Sequence, residues 1–111
     1  MRRRAPFWTL TTAQQLAREG KIWLSKTRVL ALFETDDLAA AAVLSAIANL
    51  TADNFAATVL LTETEETCDV YGLTVHGAGW YLKFTIDADL LILSFHPLVR
   101  PLRVNKGWIH P

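Results

Sequence analysis

A chain of 111 residues, 51% of them hydrophobic, has material for one core and one domain. Lys and Arg number 11 and Asp and Glu number 11, so the formal net charge is zero, and no apolar run reaches the length of a membrane span. A single cysteine, Cys68, excludes an internal disulfide and a Cys-rich zinc site, and the three histidines show no HxxxH spacing, so the expectation is a cytoplasmic protein without metal or cofactor.

The charge is unevenly spread. Residues 1–28 hold Arg2, Arg3, Arg4, Arg18, Lys21, Lys26 and Arg28 against Glu19, a balance of +6. Residues 29–82 hold Glu34, Asp36, Asp37, Asp53, Glu63, Glu65, Glu66 and Asp69 and no base, a balance of −8. Residues 83–111 hold Lys83, Arg100, Arg103 and Lys106 against Asp87 and Asp89, a balance of +2. The two basic ends either meet phosphates or neutralise the acidic middle across the fold. Lys26, Arg28, Arg100 and Arg103 are the candidate RNA-binding cations.

In chain order, residues 1–9 read as an arm, kept out of helix by Pro6 and docked by Phe7, Trp8 and Leu10. The arginines Arg2 to Arg4 bind nucleic acid or form a solvated tail. A first helix is expected from about Thr12 to Glu19, capped by Thr11 or Thr12 and stopped by Gly20. Lys21 to Leu24 reads as a short extended segment, and Ser25 to Phe33 as either a short helix or a buried strand. A second helix begins at Asp36 or Asp37, closes at Asn49, and carries Leu38, Ala41, Ala42, Leu44, Ser45, Ile47 and Ala48 as its stripe. Thr51 caps a further turn over Ala52 to Ala57, with Phe55 toward the core. Strands are expected at Thr58–Thr62 and Thr67–Val75, separated by an acidic loop, with Tyr71, Leu73 and Val75 on one face.

The pattern is sharpest from Gly79 to His96. Trp80, Leu82, Phe84 and Ile86 alternate with Tyr81, Lys83, Thr85 and Asp87, and Leu91, Leu93 and Phe95 form the matching apolar set. A two-residue turn at Ala88-Asp89 sets Ile86 opposite Leu91, Phe84 opposite Leu93 and Leu82 opposite Phe95. The same register puts Tyr81 opposite His96 and Lys83 opposite Ser94 on the other face. A four-residue turn over residues 76–79 would set Leu73 beside Leu82 and leave Gly72 and Thr74 flanking Tyr81 and Lys83. Pro97 and Pro101 forbid a central strand, so residues 97–111 read as an irregular C-terminal extension of a domain spanning residues 1–96. The expected fold is α+β, with N-terminal helices packed on a twisted antiparallel sheet in two layers.

A phenol, an ammonium and an imidazole on one face suit cleavage of RNA. The 2′-OH must lose a proton, the 5′-oxygen must gain one, and the phosphorane charge needs a cation. His96 can serve as acid or base, Lys83 can hold the phosphate charge, and Tyr81 can position phosphate, move a proton or stack on a base. Tyr81, His96 and Lys83 are the candidate catalytic residues.

The ordered set Asp69-Val70-Tyr71, Gly77, Tyr81-Leu82-Lys83 and Leu91-Ile92-x-Ser94-Phe95 resembles the MqsR-type toxins of bacterial toxin–antitoxin pairs over about residues 4–96. Arg4-x-Pro6, Leu16 with Gly20, and Leu50-Thr51 with Phe55 add to the likeness. The resemblance implies a RelE-like fold, an endoribonuclease that cuts messenger RNA and so stops growth, and an antitoxin, MqsA-like or other, that joins it in a hetero-oligomer. It implies a site role for Tyr81. It also implies a lysine where His96 stands, a glutamine where Cys68 stands, and a lysine within Ala56-Ala57-Thr58. Two readings of these departures remain open. In one, His96 takes over the chemistry; in the other, the fold survives as a weak or inactive module that binds RNA or a protein.

Overall fold

The protein is described by a computed structural model covering residues 4–111; Arg2 and Arg3 lie outside the described residues. Helix α1, Leu10–Arg18, starts two residues earlier than expected. Its N-cap is Thr9, which makes no side-chain cap bond, so the box expected at Thr11 or Thr12 does not form. The stop at Gly20 is as expected. Gly20 has φ +74°, and the Gly20 and Lys21 amides close on the carbonyls of Ala17 and Leu16 at 3.1 and 2.9 Å.

Strand β1, Ile22–Leu24, follows directly. The ambiguous stretch after it is a single 3-10 turn, Leu30–Leu32. Helix α2, Asp36–Asn49, is capped by Thr35 rather than by either aspartate, its hydroxyl accepting from the Leu38 amide at 3.1 Å. Asp36 and Asp37 sit in the first turn, where their charge favours the positive helix end. The buried face is Ala39, Val43, Ala46 and Ile47, with Leu38 and Leu44 exposed, so the expected stripe is rotated. Apolar residues fill nearly every position of this helix, so composition marks no face and packing chooses one. Gln14 of α1 ties its end down by donating to the Ile47 and Leu50 carbonyls at 3.0 and 3.1 Å. Thr51 caps as expected, but over a 3-10 turn of only Ala52–Asn54.

Strands β2 (Phe55–Leu61), β3 (Glu66–Val75), β4 (Ala78–Asp87) and β5 (Asp89–Pro97) complete a five-stranded sheet of order β1-β5-β4-β3-β2. The helices pack on one face, around Phe55, Tyr71, Leu82, Phe84, Leu90, Ile92 and Phe95. The α+β class and its layers are as expected. The sheet is mixed rather than wholly antiparallel, because β1 runs parallel to β5.

Two turns differ from expectation. The β3–β4 connection is His76-Gly77 alone, both residues at positive φ (49° and 81°), in place of a four-residue turn. Leu73 therefore faces Trp80 and Tyr71 faces Leu82, a slip of two that keeps every side chain on its face. The β4–β5 reversal pivots on Ala88 (φ 62°) and pairs Ile86 with Leu90 and Phe84 with Ile92, one residue off the expected register. A β-bulge at Leu93 then restores it, so that Lys83 meets Ser94, Leu82 meets Phe95 and Tyr81 meets His96, as expected. Leu90 and Ile92, fully buried, thus replace Leu91 and Leu93 in the core. The sequence-based register failed at the tip because it assumed unbroken alternation, and a bulge changes the parity of a strand.

The extension is not irregular. β6 (Leu102–Val104) and β7 (Gly107–Ile109) form a hairpin packed on the sheet face away from the helices. Val104 joins Ala56 and Val70 in a second small core, with Leu102, Ile109 and Tyr81 against it. Gly72 makes the contact possible, since a Cβ there would lie 2.9 Å from Leu102. Strands of three residues are too short to show alternation, and their apolar side is apparent only once the sheet face exists.

Candidate nucleic-acid interface

Strands β4 and β5 carry the candidate site on the face opposite the helices. Tyr81 and His96 are cross-strand partners whose rings lie parallel, with centroids 5.0 Å apart and planes at 13°. Both are half-buried, so each offers an edge to solvent. The His96 Nδ1 lies 2.8 Å from the Pro97 carbonyl oxygen. A carbonyl only accepts, so Nδ1 carries the proton and Nε2 is left as the basic atom. Burial pushes the Tyr81 phenol above the ordinary tyrosine value, a nearby Cys68 adds to the rise, and the positive charge of Arg28 opposes it. Near neutral pH Tyr81 is therefore a donor, not a base.

Lys83 is the next residue on the same face of β4. It is 9% exposed, pairs with the buried Ser94, and lies across β3 from Val70. Its charge pulls the Cys68 thiol down, against the larger rise that burial causes; Glu66 and Asp69 add to that rise. Cys68 itself is wholly buried.

The candidate cations divide. Arg28 is brought to the site, its charge acting on Tyr81 and its backbone carbonyl accepting from the Phe95 amide at 3.4 Å. Lys26 is exposed two residues away in the same turn. Arg100 is exposed in the bend between β5 and β6. Arg103 lies on the outer side of the hairpin, since its neighbours Leu102 and Val104 face the sheet. The structure thus joins Tyr81, His96, Lys83 and Arg28, and sets Arg100 and Arg103 on the added hairpin.

Two residues outside the predicted set shape the site. Gly72 faces Tyr81 across β3 and β4, and its missing side chain admits the hairpin beside the phenol. Asp69, fully buried, accepts from the Phe7 and Trp8 amides at 3.0 and 2.7 Å and from the Thr58 hydroxyl at 2.6 Å. It fastens the N-terminal arm, while Arg4 and Asn105 exchange hydrogen bonds of 3.0 and 2.8 Å that tie that arm to the hairpin. A lone acid in a strand pattern carries no sequence signal for such a role.

Cys68, where the resemblance implies a glutamine, is sealed from solvent at 0% exposure; of the three positions within which it implies a lysine, Ala56 is buried, Ala57 half-buried and Thr58 exposed. Among the described residues no cluster of three or more His, Cys, Asp or Glu forms, and no helix is long and apolar enough to cross a membrane. A cleft of about 620 Å³ lies on the helix side, between α2 and the β3–β4 tip, and none of the candidate residues lines it.

No curated protein matches the chain. Residues 5–97, which end where β5 ends, match the family described as "Motility quorum-sensing regulator, toxin of MqsA". That match runs over most of the chain and agrees with its α+β layers: the chain belongs to the MqsR toxin family.

Proposed function

We propose that the protein is the toxin of a toxin–antitoxin pair that acts in the cytoplasm as an endoribonuclease on messenger RNA. The parallel pairing of Tyr81 and His96, with Lys83 beside them, carries the reading. His96 Nε2 takes the proton of the 2′-OH, whose oxygen attacks phosphorus. The P–O5′ bond breaks as the new P–O2′ bond forms, leaving a cyclic phosphate and a free 5′-hydroxyl. The Tyr81 phenol, held protonated by burial, donates to the departing oxygen. The imidazolium beside it then returns a proton to the phenolate. The Lys83 ammonium balances the phosphorane charge.

Purified protein should cut RNA with EDTA present, and His96→Ala and Tyr81→Phe should each slow cleavage by about tenfold or more. Intact RNA in the presence of folded protein would sink the assignment, and unchanged rates from both variants would move the site elsewhere. Growth arrest on expression, relieved by the product of a neighbouring gene, tests the antitoxin partnership.

The sealed Cys68, standing where the resemblance implies a glutamine, favours a second reading, a module that grips RNA or a protein partner without cutting it. Salt-sensitive RNA affinity with no cleavage products would support that reading.

A further inference from the structure

The hairpin of β6 and β7 lies beyond the residues that match the family. Its inner side is accounted for by Leu102, Val104 and Ile109 on the sheet. Its outer side pairs Arg103 directly with Trp108, an indole left 55% exposed on a strand. Residues 98–111, the hairpin and the segment that leads into it, hold Arg100, Arg103 and Lys106. Asp53 meets the hairpin turn through its backbone carbonyl, which accepts from the Lys106 amide at 3.1 Å.

The exposed Phe7 differs. Phe7 is met edge-on by Trp8, with centroids 4.8 Å apart, and shares its shallow pocket with Glu66 and Asp87. A flat exposed ring on a strand, in a segment that carries basic residues, suits a base of a single strand, the ring stacking while cations track phosphates. Tyr81, Leu102 and Ile109 all pack against the small cluster of Ala56, Val70 and Val104, so the hairpin and the proposed chemistry share one core.

We propose that Trp108 is a stacking platform for one base of single-stranded RNA, and that the C-terminal hairpin is a recognition element appended to the site. The inference rests on the ribonuclease reading for its ligand, but it concerns binding and is tested without cleavage. The probe is a fluorescent single-stranded oligonucleotide with 2′-O-methyl riboses, which cannot be cut because the attacking hydroxyl is blocked.

Trp108→Ala should weaken binding by about tenfold, Trp108→Phe should retain most of it, and the salt dependence should stay as in the wild type because phosphate contacts are untouched. Trp108→Leu keeps the apolar bulk without the π face, so it should lose affinity at an unchanged melting temperature. This variant decides the matter if Trp108→Ala melts early. Wild-type affinity in Trp108→Leu, or no binding by the wild type, overturns the proposal. Parallel assays with cleavable RNA separate the two ideas. Cleavage by the wild type with Trp108-independent binding removes the platform alone. Trp108-dependent binding without cleavage removes the ribonuclease assignment alone.

Discussion

Tyr71 is fully buried, stacked on Phe84 at 5.6 Å and edge-on to Phe55 at 5.5 Å. Among the described residues its hydroxyl has no hydrogen-bond partner. An unpaired buried hydroxyl costs about 1–3 kcal/mol, so Tyr71→Phe should stabilise the protein by about 1 kcal/mol and raise its thermal midpoint by a few degrees. Burial, and then the charge of Asp69, push the Tyr71 phenol well above its ordinary value. The folded state therefore holds this proton more tightly than the unfolded chain. Its contribution to stability is complete below about pH 10, the unfolded tyrosine value, and is lost as pH rises toward the folded one. Denaturant titrations at pH 8, 10 and 11 should show stability falling at the alkaline end, less steeply in Tyr71→Phe; equal slopes contradict this. Asp69 is the opposite case, with all its bonds made. Asp69→Ala strands two amides and a hydroxyl, and should cost about 3 kcal/mol and expose the arm to protease near Phe7 and Trp8.

Among the elements, the β4–β5 hairpin positions the chemistry. The Leu93 bulge lets one strand bury Leu90 and Ile92 near the tip and Phe95 further along, while turning His96 toward Tyr81. Without the bulge, the tip register carried down the strand would set Lys83 against Leu93 and put His96 on the core side. Deleting Leu93 removes the extra residue itself and carries the tip register straight to Lys83–Ser94 and Tyr81–His96, so cleavage should survive the deletion; its loss in a variant that circular dichroism shows to keep its strands would contradict this. The β6–β7 hairpin depends on close approach to glycine. A Cβ on Gly79 would collide with the His110 carbonyl and meet Leu98 at 2.8 Å. Gly79→Ala should destabilise by about 1–3 kcal/mol, the scale of overpacking, and speed proteolysis within residues 98–111 before the sheet itself is cut. At α2, Thr35→Ala should cost about 1 kcal/mol through loss of its bond to the Leu38 amide.

At the scale of the whole molecule, charge and layering act together. Some residues of each basic end meet on the sheet face away from the helices, Arg28 beside Tyr81, and Arg100, Arg103 and Lys106 in the segment that forms the added hairpin. RNA affinity should fall steeply between about 50 and 200 mM salt if several of these cations touch phosphate. An affinity that ignores salt would leave the charge asymmetry with a purely structural role.

By itself, the sequence determined the order of the elements, the stop at Gly20, the cap at Thr51 and the two faces of β3 and β4. It also determined that Tyr81, Lys83, Ser94 and His96 share a surface. These follow from local rules, namely side-chain period, glycine's access to positive φ, and the need of helix ends for acceptors. Only the tertiary structure decided the length of each turn, the bulge at Leu93, the buried side of the alanine-rich α2 and the fate of residues 97–111. Each of those depends on the free energy of fitting one surface to another, which distant residues supply. A strand can lose one residue of register, and a three-residue segment can become a strand, when apolar area elsewhere in the chain is waiting to be covered.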